Sequence, residues 1–285
     1  MLAVSGTEAF MQVQRIAAFS DGDTGGNPAG VVLCDRLPEP AAMQALAAEV
    51  GYSETAFAAP EGNGWRVRYF APAMEVPFCG HATIALGAAL ALRFGAGTYA
   101  LRLNEAAITV EGRQEGATIA AALQSPPTRS QPAPPALLEA ALALFGYAAE
   151  ELDPRIPPAL AEAGARHLVL ALISRQRLAA MRYDQAAGAV LMRDAGLTTI
   201  SLIHEERARL FNARNPFAAG GVYEDPATGA AAAAFAGYLR DLDWPHGGGI
   251  EIIQGEDMGM LSRLQATIPP GPGTGIRVSG TARIL

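Results

Sequence analysis

Lysine is missing from this sequence: all 21 basic residues are arginine. Without it there can be no Schiff base with pyridoxal phosphate, no Walker A loop and no amine nucleophile. Cysteine is scarce. Cys34 and Cys79 are too few for a disulfide framework and are not spaced as CxxC, which fits a reducing compartment. The four histidines, His81, His167, His204 and His246, stand far apart, with no HExxH or HxH spacing. No dedicated metal site is expected from them, although carboxylates distant in sequence could assemble one. Neither GxSxG nor GxGxxG occurs, and "DTGGNPAG" at 23–30 has the wrong glycine spacing for a dinucleotide turn. Charge is sparse as well. Only 17% of residues are charged, the net charge is −7, and no basic block offers a partner for nucleic acid. The longest uncharged stretch, from Val76 to Leu92, contains Pro77 and His81, and "MLAVSGTEAF" has no basic region before an apolar run. Neither a membrane span nor a signal peptide is expected, and a soluble, cytoplasmic protein is.

What is present points to two cores. The chain has 285 residues, half of them hydrophobic, enough for two domains of ordinary size. Short β-rich segments recur with turn residues between them: "QVQRIAAF", "AGVVLCD", "TAFAAP", "WRVRYF", "ITVEGR", "HLVLAL", "TISLI" and "IEIIQG". Between them lie two alanine-rich runs, from Ala82 to Leu92 and from Ala227 to Leu239, with no charge on any face. A helix apolar all round is a buried helix. The expected fold is therefore α+β, with two pseudo-symmetric domains, each a curved, barrel-like sheet wrapped around one central helix. "SPPTRSQPAPP" at 125–135 holds five of the twenty prolines and reads as an exposed linker. The break "IPPGPGTG" at 268–275 precedes a last strand that would cross back to the first domain. The domains would be 10–124 plus 276–285, and 136–268. "RVRYFAP" at 66–72 and "RARLFNA" at 207–213 share Arg-x-Arg-x-Phe, and an insertion of four residues would align the Ala-Thr pairs that follow, suggesting a repeat.

The polar turns that open the two runs, "CGHAT" at 79–83 and "DPATG" at 225–229, give the scaffold a chemistry. The first turn of a buried helix has unpaired N–H groups and a partial positive charge. Two such ends meeting between the domains would cradle a small carboxylate on the N–H groups of Gly80 to Ala82 and of Gly229 and Ala230, with His81 and Asp225 flanking it and Asn27 nearby.

"GNPAGVVL" at 26–33, "GYSETAF" at 51–57, "YFAPAMEVPFCGHAT" at 69–83, "EDPATG" at 224–229 and "IIQG" at 252–255 resemble the phenazine-biosynthesis PhzF-like isomerases, within the diaminopimelate epimerase fold. The resemblance covers nearly the whole chain in the family's motif order. It implies two barrels around central helices, a cofactor-free active site between them and a homodimer. It also places the acid/base glutamate on Glu54, the Gly-His turn on Gly80 and His81, and the motif aspartate on Asp225.

Read from the residues alone, alternation in "YSETAF" puts Glu54 on the face of a strand it shares with Tyr52 and Ala56, a poorly charged setting that raises a carboxyl's pKa toward that of a working base. A lone strand glutamate is otherwise solvent-facing. His81 is otherwise a capping or core histidine, and Asp225 an N-cap before Pro226 at the first helical position. Cys79 occupies the first-thiol position of two-thiol racemases, but "EDPATG" brings no second thiol, so Cys79 reads as a buried packing residue. Ala230 and Ala232 stand where members often carry serine and histidine or asparagine, and Met260 and Leu261 where Arg-Pro is common. A substrate less polar than the phenazine precursor, or no substrate at all, is implied. The sequence thus reads as a cofactor-independent isomerase that moves a proton on a small carboxylic acid. A metabolite-binding protein on the same scaffold and a thiol-dependent racemase are the alternatives.

Overall fold

Each of the eight β-rich segments forms a strand in the computed structural model, which describes residues 12–285. "MLAVSGTEAF" and the first residues of the expected first domain lie outside that range. The first half of the chain runs through β1 (Val13–Ser20) and β2 (Asn27–Leu33), crosses by helix α1 (Pro40–Val50) to β3 (Thr55–Glu61), and continues as β4 (Gly64–Phe70) and the short β5 (Glu75–Val76). Helix α2 (Gly80–Phe94) leads to β6 (Gly97–Arg102), β7 (Ala107–Glu115) and β8 (Thr118–Pro127). The pairs bridged by helices, β2–β3 and β4–β6, are parallel, as a crossover requires.

After β9 (Arg129–Pro132) and α3 (Pro135–Phe145) the same order returns. β10 (Ala159–Glu162) and β11 (Arg166–Ala171) are followed by α4 (Arg175–Ala179) and α5 (Gln185–Asp194), then β12 (Thr199–Arg207), β13 (Leu210–Pro216) and β14 (Glu224–Asp225). Helix α6 (Gly229–Asp241) precedes β15 (Gly249–Gln254), β16 (Ser262–Thr267) and β17 (Gly275–Ile284). Here too the helix-bridged pairs, β11–β12 and β13–β15, are parallel.

Two rings of strands close around α2 and α6 and share their seam. β8 and β17 pair antiparallel along that seam. β17 then pairs with β1 through its last residues and with β16 through its first, while β9, continuing from β8, pairs with β10. The C-terminal strand therefore does not simply return to the first half; it belongs to both.

The proline-rich stretch is corrected by the same pairing. The stretch is largely exposed, as expected, but Ser125 to Pro127 end β8 and Arg129 to Pro132 form β9, with Ser125 and Thr128 buried, so it is paired strand and not a free linker. Proline is tolerated where a strand's N–H is not needed. Near Pro126 the ladder shifts register and Ser125 Oγ accepts the Ile276 N–H at 2.9 Å.

Both central helices are buried on every face, α2 from His81 to Ala91 and α6 at Gly229 and from Ala231 to Leu239. Small residues permit it. A Cβ on Gly112 would stand 2.2 Å from the Gly87 carbonyl oxygen, so only glycine lets β7 lie this close to α2.

The repeat is visible in the fold, but its register differs from the one suggested by Arg-x-Arg-x-Phe. Phe70 faces Glu75 across β4–β5 as Pro216 faces Glu224 across β13–β14, and the helices begin at Gly80 and Gly229. Thr228 is thus the counterpart of Cys79, not of Thr83, and Arg68 that of Arg214. Each arginine braces its hairpin through a two-pronged pair. Arg68 donates to Glu75 at 2.7 and 2.5 Å, and Arg214 to Glu224 at 2.9 and 2.5 Å.

Candidate active site

The two helix N-termini abut. A Cβ on Gly80 would lie 3.7 Å from Gly229 Cα and 3.8 Å from the Ala230 nitrogen. The N-cap residues, Cys79 for α2 and Thr228 for α6, make no side-chain cap hydrogen bond, so the N–H groups of Gly80 and His81 and of Gly229 and Ala230 lack the usual side-chain acceptor. Asp225 is not an N-cap, and Pro226 precedes the helix instead of starting it, since α6 begins at Gly229.

Asn27, at the start of β2, reaches across to the second half. Its Nδ2 donates to Asp225 Oδ1 at 2.7 Å and to the Ala227 carbonyl at 3.4 Å. Thr228 Oγ1 donates to Asp225 Oδ2 at 2.6 Å. Gln254 latches the turn from behind, donating to the Asp225 carbonyl at 2.7 Å and to Thr228 Oγ1 at 3.0 Å while accepting the Thr228 N–H at 3.2 Å. Burial raises the Asp225 pKa above the ordinary aspartate value, and the charge of Glu54 adds to that, against His81, Thr228 and Asn27, which favour the carboxylate.

Glu54 is not inside a strand. It precedes β3, after a bend at Tyr52 and Ser53, and its backbone is pinned where its carbonyl accepts the Gly30 N–H at 3.2 Å. The bend breaks the alternation that would have put Tyr52 on the same face. Glu54 Oε2 is buried with no hydrogen-bond partner, yet lies 3.3 Å from His81 Nε2, close enough for charge attraction but not aligned as a hydrogen bond. His81 sits in the first turn of α2, buried, with Ser53 Oγ 3.2 Å from Nε2 and Cys79 Sγ 3.3 Å from Nδ1.

Cys79 is therefore more than a packing residue. It is buried in the core and touches the acid/base cluster as well. Burial, then the charges of Glu54 and Asp225, hold its thiol well above the ordinary cysteine value, outweighing the pull of the Ala82 N–H. Cys34 lies just past the other end of β2 from Asn27, about 20 Å along the strand at the rise of a β-residue, and its Sγ donates to the Ala58 carbonyl. The two thiols cannot work as a facing pair. The ligand atoms of Glu54, Cys79 and His81 lie within 4.8 Å of one another, a donor set that the scatter of the histidines did not suggest. Leu261 acts through its backbone, its carbonyl accepting the Gly26 N–H at 2.9 Å beside the Asn27 turn.

Glu54, His81, Asp225, Asn27 and both helix ends are thus brought together. Ser53, Thr228 and Gln254 had no role in the sequence reading, although each stands inside a motif quoted above. A surface groove of about 570 Å³ over β7, β8 and β17 is lined by Glu111, Arg113, Arg263 and Arg277 and holds none of these residues. It lies on the outer face of the shared sheet, away from the acid/base groups.

Residues 16–285 match the family model described as phenazine biosynthesis-like protein, PhzC-PhzF. The chain is 35% identical over 275 residues to a trans-2,3-dihydro-3-hydroxyanthranilate isomerase of Pseudomonas aeruginosa, covering 93% of this chain and 91% of that protein. It is 33% identical over 280 residues to an uncharacterized isomerase of Mesorhizobium japonicum, covering 90% and 91%. The crystal structure of a PhzF-family phenazine biosynthesis protein from Bacillus anthracis superposes with a TM-score of 0.83 at 21% identity, over 96% of this chain and 97% of that one.

Proposed function

Because the chain belongs to the phenazine biosynthesis-like PhzC-PhzF family and is an isomerase, we propose that it moves a proton on a small carboxylic acid without a cofactor, with Glu54 as the acid/base. The observation that carries this reading is the Glu54 carboxylate, with one oxygen buried and unpartnered, set beside two abutting helix N-termini. The helix ends receive the substrate carboxylate along the side of their junction, on the N–H groups of Gly80, His81, Ala82, Gly229 and Ala230. Glu54 Oε2 takes a proton from the adjacent carbon and returns it at another. His81, held by Ser53, and Asp225, held by Asn27, Thr228 and Gln254, orient the substrate and stabilise the charge that develops. The raised pKa of Asp225 supplies a second proton-handling carboxyl in a different environment from that of Glu54.

The Pseudomonas relative is named for an unsaturated, hydroxylated amino acid. For this chain we infer an unsaturated small acid with fewer polar groups, because Ala230 and Ala232 leave the first turn of α6 without a side-chain donor. The same two alanines favour the second reading, a metabolite-binding protein. Identification by mass spectrometry of a ligand carried through purification, followed by incubation with it in D₂O, decides between them. Deuterium incorporated by the wild type and lost in Glu54→Gln supports the isomerase. Binding without exchange in the wild type supports the binding protein.

A further inference from the structure

Zinc-type sites are assembled from thiolate, imidazole and carboxylate donors, and catalytic ones use three protein ligands with a fourth position open. Glu54, Cys79 and His81 bring one donor of each kind within 4.8 Å of the others. A tetrahedral zinc, with bonds of about 2.0–2.2 Å to nitrogen and oxygen and about 2.3 Å to sulfur, sets its donors roughly 3.3–3.6 Å apart. His81 Nε2 stands 3.3 Å from Glu54 Oε2 and 3.9 Å from Cys79 Sγ, so two edges of the tetrahedron are already close to size. Glu54 Oε2 is buried with no hydrogen-bond partner, which leaves its lone pairs free to bind. Hard cations fit poorly. Magnesium and calcium ask for oxygen ligands, and the other carboxylate nearby, Asp225, is engaged by Asn27 and Thr228.

We propose that Glu54, Cys79 and His81 form an inhibitory site for zinc or a similar thiophilic divalent cation, and that metal binding and proton transfer exclude each other. As the sulfur–metal bond forms, Cys79 gives up its thiol proton to solvent. Glu54 binds as a carboxylate and His81 as neutral imidazole, its ring turning about the Cβ–Cγ bond away from Ser53. No electron is transferred. Water or the substrate carboxylate would complete the shell at the open fourth position. With its oxygen on the metal, Glu54 cannot take a proton. The inhibitory half rests on the proposed reaction; the binding half does not.

The test is cobalt(II) titration of the full chain after dialysis against EDTA, read by absorption, with zinc affinity measured by chelator competition. The expected spectrum has a thiolate-to-cobalt charge-transfer band in the near ultraviolet, kept in Cys34→Ser and lost in Cys79→Ser. Zinc affinity should fall by at least about 100-fold in Cys79→Ser and in His81→Asn, beyond the 10–100-fold that losing an outer-shell partner costs. No band, a band that survives Cys79→Ser, or one lost in Cys34→Ser overturns the site. If Cys79→Ser does not fold, unchanged zinc affinity in both His81→Asn and Glu54→Gln overturns it equally. These readouts need no turnover, so their failure is separate from failure of the isomerase reading. For inhibition, deuterium exchange by the wild type should stop at one equivalent of zinc and recover with EDTA. Exchange that persists with zinc bound overturns that half.

Discussion

Just before the strand that follows the first crossover, the first half carries Glu54 and the second carries Thr198. At the N-cap of the central helix they carry Cys79 and Thr228, at its second residue His81 and Ala230, and on the short strand before it Val76 and Asp225. By contrast, the glycines at the helix starts, the uncapped first turns and the Arg–Glu braces recur in both halves. What recurs is what any two buried helix ends need in order to meet and hold an anion. What differs is what can move a proton. The first half supplies the Glu54 carboxylate, the imidazole, the thiol and Asn27, and the second supplies the Asp225 carboxyl with Thr228 and Gln254, which share its hold with Asn27. A symmetric cradle with an asymmetric set of acids and bases suits isomerisation, in which a proton leaves one carbon and arrives at another.

The sharpest way to break this division is to exchange its two sides. Glu54→Gln keeps shape and removes the proposed base, so turnover and solvent-deuterium incorporation should fall about 10²–10⁴-fold with ligand binding retained. Thr198→Val, at the counterpart position, should leave the rate within about twofold, as expected for a substitution that touches no reacting group. Kinetics and NMR exchange on both variants check this. A larger loss for Thr198→Val than for Glu54→Gln would mean the halves have been assigned the wrong way round.

Stability probes the second half in particular. The side chains of Arg214 and Glu224 are 6% and 3% exposed. Arg214→Met leaves a buried carboxylate unpaired and should cost about 3–5 kcal/mol. It should also disturb the hairpin that presents Asp225, lowering turnover as well. Urea denaturation of the variant, read with its activity, tests both effects. An unchanged midpoint would show that Arg214 does not brace the hairpin.

His167 gives the second half a pH response that the first lacks. It pairs with Thr199 as Gly30 pairs with Thr55, so the first-half counterpart has no side chain to titrate. His167 is fully buried, with Nδ1 2.8 Å from Thr199 Oγ1, and burial pushes its pKa down from 6.5 to about 4. The unfolded chain therefore binds this proton at a higher pH than the folded one. The stabilisation is present above about pH 6.5 and is lost as pH falls toward 4, amounting to roughly 3 kcal/mol. Thermal melts between pH 7 and 4 should show that decline, and His167→Asn should flatten it. An equally steep decline in His167→Asn would assign it to other groups.

The strands and the two buried helices were legible because alternation and all-round apolar character are local properties. The loop ends were harder. Glu54 continues the alternation of its strand in sequence, and the bend at Tyr52 and Ser53 that frees it is marked only by Gly51 before it and a single serine. The prolines at 126, 127 and 132 could not reveal that the edges they occupy do not need their N–H groups. Arg-x-Arg-x-Phe suggested the wrong register because the two segments resemble each other in composition, while true equivalence is set by ladder pairs such as Phe70–Glu75 and Pro216–Glu224. Gln254 and Asn27 reach the backbone carbonyl and the carboxylate of Asp225 from distant stretches of chain, and no spacing rule predicts such contacts. Cys79 was placed correctly as buried, but its neighbours were invisible because His81 turns back on it within one helical turn and Glu54 arrives from another loop.

The smallest effect sharpens the comparison between the two braces. Arg68 and Glu75 make the same two-pronged pair as Arg214 and Glu224, but their side chains are 19% and 26% exposed, so water can solvate whichever partner is left alone. Asn104 Nδ2 also donates to Glu75 at 2.6 Å, which keeps that carboxylate partnered without the arginine. Arg68→Met should therefore cost only about 0–1 kcal/mol and should weaken further as a probe in high salt, where exposed pairs are screened. Paired urea titrations of Arg68→Met and Arg214→Met, at low and high salt, measure the difference directly. If the two variants lose equal stability, burial does not distinguish the braces, and the stiffness attributed to the hairpin that holds Asp225 must come instead from Gln254 and Asn27.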